Sequence, residues 1–137
     1  MTRIKYDMNL MKYISLFESL TNTKVKDCVA NEKLLFIVQE GHIGKAVGKQ
    51  GINVKKIEGI LKKDIRIVEF SENLIQFIQN MIYPLRASNI EEDQGTVTIT
   101  GPDTKTKGLM IGREGKNLNY LKDIVKRHFS VEDIKVV

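Results

Sequence analysis

Residues 43–61 read IGKAVGKQGINVKKIEGIL, and residues 107–125 read KGLMIGREGKNLNYLKDIV. Each stretch holds two polar residues between two glycines: Gly48-Lys49-Gln50-Gly51 and Gly112-Arg113-Glu114-Gly115. The tetrads lie 64 positions apart (48 to 112), and the same offset carries Gly44 onto Gly108 and Asn53 onto Asn117. Val54, Ile57 and Leu61 fall on Leu118, Leu121 and Val125, an apolar stripe at the spacing of one helix face. Upstream, Asn9, Leu10 and Ile14 fall on Asn73, Leu74 and Ile78, and Asp7 and Ser71 stand as matching helix N-caps. An apolar stripe recurs easily by chance. Glycines, an asparagine and caps under one offset do not, so the sequence reads as two copies of one small domain, residues 1–70 and 71–137.

Outward from the first tetrad, a short helix is expected near Ile43–Val47 and a longer one over Ile52–Leu61. The β-branched run at 65–68 then closes the copy as a strand. Before the tetrad, Lys24–Ala30 and Lys33–Gln39 read as strands around an Asn31–Glu32 turn. The copy opens with an amphipathic helix over Asp7–Leu20. The second copy repeats this order: a helix from Ser71 to Tyr83 stopped by Pro84, then strands at Leu85–Ile90 and Thr96–Thr100 around a turn EEDQG. Helices at Lys105–Ile111 and Lys116–Phe129 follow, and Ile134–Val137 is the last strand. The fold class is α+β. Copies this small are marginal alone, and no Gly/Ser linker separates Phe70 from Ser71, so a rigidly packed pair is expected.

Composition narrows the function. The chain has 137 residues, 42% hydrophobic and 28% charged, with two prolines, which excludes a disordered or collagen-like protein. No apolar run is long enough to cross a membrane, and the first residues lack a signal peptide's apolar stretch. The single cysteine, Cys28, excludes an internal disulfide framework and fits a reducing cytoplasm. The net charge of +5 is unevenly spread. Residues 42–66 hold seven cations against two carboxylates, and residues 105–128 again seven against two, so the remainder carries −5. Two equal basic islands point to two local anion sites.

Each tetrad sits between a short helix and a long one. Glycines leave room for close approach of a phosphodiester and permit positive φ. The following helix offers unpaired N–H groups and the positive end of its dipole. Lys49 or Arg113 adds a mobile charge. A single tetrad is sufficiently explained as a glycine C-cap; two in register, each inside a basic island, favour anion binding. A nucleotide-hydrolysing P-loop is excluded, because Gly44 and Gly48 are three residues apart and Gln50 stands at the hydroxyl position. His42 and His128 lack companions at metal-ligand spacing and read as surface or loop-edge residues. Cys28 reads as a buried strand thiol, and Glu91, Glu92 and Asp93 as a solvated turn. No enzyme, metal or cofactor is expected.

The two quoted stretches resemble the I-G-x-x-G loop and following helix of the K-homology (KH) family. The order helix–strand–strand–helix–helix–strand is similar to its type II form, a helix-covered three-stranded sheet. The resemblance implies that Gly48, Lys49, Gln50 and Gly51, and likewise Gly112, Arg113, Glu114 and Gly115, clamp the backbone of single-stranded RNA. Gly44 and Val47, with Gly108 and Ile111, would flank grooves for the bases. Lys45 and Lys55 from the first island and Lys116 from the second complete the expected contacts. Two tandem type II KH domains with little else resemble archaeal NusA-type transcription termination/antitermination factors. That implies nascent RNA as the ligand, with RNA polymerase or other transcription factors as further partners, in a cytoplasmic protein expected to be a monomer. The alternative is a protein-interaction or ribosome-assembly module in which one unit has lost RNA contact. Glu114 departs from the pattern by placing an acid in the second loop.

Overall fold

Asp7 begins the first helix as its position predicts: its Oδ1 accepts the Leu10 N–H at 2.8 Å. The computed structural model describes residues 7–137, which divide into two compact units, the first extending to Ser71 and the second running from Glu72 to Val137. In the first unit, helix α1 (Met8–Thr21) ends at Asn22, whose φ of 54° turns the chain out of the helix. Strands β1 (Val25–Ala30) and β2 (Leu34–Val38) follow. Helices α2 (Ile43–Val47) and α3 (Ile52–Leu61) come next, joined by a single 3-10 turn over Lys49–Gly51. Strand β3 (Ile65–Glu69) closes the unit.

The sheet order is β1-β2-β3, with β2 antiparallel to β1 and parallel to β3. The apolar run LLFIV makes β2 the central strand, buried at every position. Phe36 pairs with Cys28 on one side and Ile67 on the other, and its ring stacks on Phe17 of α1 at 4.2 Å between centroids. Phe17, Phe36, Val38, Ala46 and Ile57 form the core that seats α1, α2 and α3 together. Cys28 is fully buried in β1.

The second unit repeats the order with α4 (Leu74–Ile82), β4 (Asn89–Asp93), β5 (Thr96–Thr100), α5 (Thr104–Ile111), a 3-10 turn at Arg113–Gly115, α6 (Lys116–His128) and β6 (Asp133–Val136). Its sheet order is β4-β5-β6, with β4 antiparallel and β6 parallel to β5. Phe77, Ile78, Val97, Ile99, Leu121, Val125 and Ile134 are buried.

Two sequence expectations need correction. The cap of α4 is Asn73, whose side chain accepts the Gln76 N–H at 2.9 Å; Ser71 is a buried residue upstream. Asparagine is as good a cap as serine, and its carboxamide lies where it can reach an N–H of the first turn. Strand β4 occupies Asn89–Asp93 rather than Leu85–Ile90, so Glu91, Glu92 and Asp93 are strand residues. The turn itself is Gln94-Gly95, with φ of 50° and 86°, a two-residue hairpin whose positive φ angles suit the strand twist. The last strand, expected at Ile134–Val137, occupies Asp133–Val136; α6 has 13 residues against 10 in α3 and the connection after it is one residue longer, so β6 starts 68 positions after β3 (65 to 133).

Candidate nucleic-acid interface

The two tetrads adopt the same backbone. Gly48 has φ 78° and ψ 171°, and Gly112 has 76° and 172°, a region open only to glycine. Gln50 (55°, 28°) and Glu114 (56°, 27°) are left-handed, as are Gly51 (73°, 20°) and Gly115 (76°, 12°). Neither glutamine nor glutamate favours that conformation, so each loop holds a strained residue at the same place.

The loop amides divide into two kinds. Gly48 N–H donates to Gly44 O at 3.0 Å and Gly51 N–H to Gly48 O at 3.2 Å; Gly112 donates to Gly108 O at 2.8 Å and Gly115 to Gly112 O at 3.1 Å. Ile52 N–H and Lys116 N–H close the 3-10 turns on Lys49 O and Arg113 O. Among the described residues, no acceptor takes the inner N–H groups of Lys49 and Gln50, or of Arg113 and Glu114. All four inner residues are exposed. Each loop therefore presents two adjacent unclaimed donors beside a helix N-terminus, an arrangement that accepts an anion.

The glycines also divide. A Cβ on Gly48 would stand 2.9 Å from Asn53 Nδ2, and one on Gly112 would stand 2.7 Å from Asn117 Cγ, so the first glycine makes room inside the protein. A Cβ on Gly51 would meet nothing within 4 Å, and one on Gly115 only Asn119 Nδ2 at 3.6 Å. Gly44 and Gly108 likewise face open space, and neither has positive φ.

The structure brings Gly44, Lys45 and Val47 to the α2 side of the first tetrad and places Lys55 one turn into α3; Lys45, Lys49 and Lys55 are exposed. Gly108 and Ile111 precede the second tetrad, and exposed Lys116 is the first residue of α6. Val47 and Ile111 are half-buried. Two exposed apolar residues beside the tetrads escaped the sequence reading: Ile52, 55% exposed, and Leu109, 49%. A single apolar residue at a helix end leaves no periodic signal.

The basic islands are less compact than the sequence suggests. Lys62 and Lys63 lie past the end of α3, about 15 Å along its axis from Ile52. Lys126 and Arg127 occupy the last turn of α6, which suits the negative end of the dipole. Lys122 pairs with Asp133 at 3.0 Å, and this contact holds the Asp133 carboxyl below its ordinary value. His42, expected at a loop edge, precedes α2, and its Nδ1 accepts the Lys24 N–H at 3.1 Å. No group of three or more His, Cys, Asp or Glu among the described residues is placed to hold a metal ion. No described helix is long and apolar enough to cross a membrane.

Two α+β units, each with a three-stranded sheet and a G-x-x-G turn between its second and third helices, define a tandem KH-type protein. The KH domain family model matches residues 12–77. "Probable transcription termination protein NusA" of Methanocaldococcus jannaschii is 33% identical over 100% of this chain and 77% of its own length. Its counterpart in Methanococcus vannielii is 37% identical over 98% of this chain and 80% of its own. A solved structure, "Crystal structure of APE1850", superposes with a TM-score of 0.75 at 29% identity, covering 96% of this chain and all of that one. The chain belongs to the archaeal NusA family.

Proposed function

We propose that this protein binds single-stranded RNA through both G-x-x-G turns, as a non-enzymatic factor acting on nascent transcripts in termination or antitermination. The observation that carries the reading is the pair of unclaimed N–H donors at the inner positions of both tetrads, held by matching backbone angles. A phosphodiester oxygen fits those donors, Lys49 or Arg113 supplies the charge, and the open side of Gly51 or Gly115 allows the backbone to approach. The relatives' name, a transcription termination protein, supports the setting. RNA polymerase and other transcription factors are the further partners this reading implies, for a monomeric cytoplasmic protein. With aromatic residues at 7% and no tryptophan, bases are received in apolar grooves beside Val47 and Ile111 rather than on stacking platforms.

A titration of the protein against one sequence, as a single strand and as a duplex of equal length, tests the proposal. Single-strand preference is expected, because a duplex hides the base edges and cannot enter a clamp built for one backbone. Equal affinity for both forms contradicts it. Glu114 favours a second reading for the second unit alone, in which that loop contacts a protein partner instead of RNA.

A further inference from the structure

Asn53 and Asn117 stand second in the helices that follow the tetrads, and the phosphate-binding account gives them no part. Their position becomes intelligible from the carbonyls that α2 and α5 leave behind. The last turn of a helix carries carbonyls with no N–H ahead of them. In α2, Gly44 O is taken by Gly48 N–H, but Lys45 O would need the N–H of Lys49, which the loop has turned away. Asn53 Nδ2 supplies the missing donor, at 3.1 Å from Lys45 O. In the second unit, Asn117 Nδ2 donates to Leu109 O at 2.8 Å. Both bonds span eight residues, and both cross the tetrad from the start of one helix to the end of the other.

The first glycine of each tetrad completes the device. Its missing Cβ leaves the space that the carboxamide fills, since an added carbon would sit within 3.0 Å of Asn53 Nδ2 or Asn117 Nδ2. We infer that Asn53 and Asn117 are positioning residues: each carboxamide braces the two helix ends and so fixes the loop with its inner N–H groups turned outward. Without the brace, the strained left-handed Gln50 or Glu114 has less to hold it, and the loop relaxes. The binding half of this inference rests on the RNA reading above; the loop-order half does not.

The test uses the full chain with Asn53→Leu and Asn117→Leu together, a near-isosteric change that removes the donor without adding charge. A second pair, Asn53→Ala and Asn117→Ala, guards against a packing artefact of the leucines. Backbone 15N relaxation in the free protein reads the loop, and a fluorescein-labelled mixed-sequence single-stranded RNA reads binding. The expected result is that order parameters at Lys49, Gln50, Arg113 and Glu114 fall from about 0.85 toward 0.6, while helix and sheet amides and Tm hold. Affinity for the RNA falls about tenfold, equivalent to about 1.4 kcal/mol. Unchanged loop order overturns the inference, as does loosened loop order with unchanged affinity. Unfolding of both variant pairs overturns it too, because the amide would then secure the fold and not the loop. Should the parent fail to bind RNA, the RNA reading falls, and the relaxation data alone decide the brace.

Discussion

Glycine occupies three positions at each site, and each position answers a different demand. Gly48 and Gly112 are required by their backbone angles and by the asparagine packed against them. Gly51 and Gly115 are required by positive φ alone. Gly108 is required by neither: it lies inside α5, has ordinary φ, and a Cβ there would meet open space. Glycine inside a helix costs roughly 0.5–1 kcal/mol relative to alanine. A residue that weakens its helix without serving the fold points to a ligand that comes close. Gly108→Ala is therefore expected to raise stability by up to about 1 kcal/mol and to weaken RNA binding, measured by thermal melts and by titration of the same sample. Tighter or equal binding would contradict this. Glu114 poses the opposite problem, a carboxylate where phosphate is expected. At high effective dielectric the repulsion is about 1 kcal/mol, so Glu114→Gln should tighten binding by about that much. If affinity holds while sequence preference relaxes, Glu114 instead accepts a hydrogen bond from a base or ribose.

At the scale of elements, the N-cap of α5 sets where the helix leading into the second tetrad begins. Asp103 accepts the Thr106 N–H at 2.7 Å, and that backbone bond, aided by the Thr106 side chain, holds its carboxyl below the ordinary value of 3.8. A depressed carboxylate pKa means that the cap's stabilisation is complete above the unfolded value of 3.8 and is lost as pH falls through the lower folded value. The parent should thus exceed Asp103→Asn in Tm at neutral pH, with the gap closing on the acid side of 3.8; a gap constant into acid would contradict the assignment. Most elements were legible beforehand. Helices α2 and α3 fall on their expected residues because apolar spacing and bounding glycines mark them. Strand β4 was misplaced because Glu91, Glu92 and Asp93 read as a turn, whereas an exposed edge strand tolerates charge and is protected by it from pairing with other chains. The tetrads were legible as glycine pairs in register. The asparagine brace was not, since a bond spanning eight residues leaves no periodicity, only a repeated asparagine.

For the molecule as a whole, charge separates what the fold allows from what the sites do. The net +5 is modest, and the helices carry part of each basic island away from its loop. Binding should therefore be local, with few phosphates neutralised. Each phosphate contact on a single strand contributes a slope of about −0.7 to log K against log salt, so four to six contacts over two loops give about −3 to −4. The most direct test of the central claim is this salt titration on single-stranded RNA, for the parent and for a variant with Lys49, Gln50, Arg113 and Glu114 all replaced by Asp. The two tetrads, acting as the clamps, predict a parental slope of about −3 to −4 and loss of binding in the variant. A parental slope near zero, or a variant that binds RNA as the parent does, would contradict it.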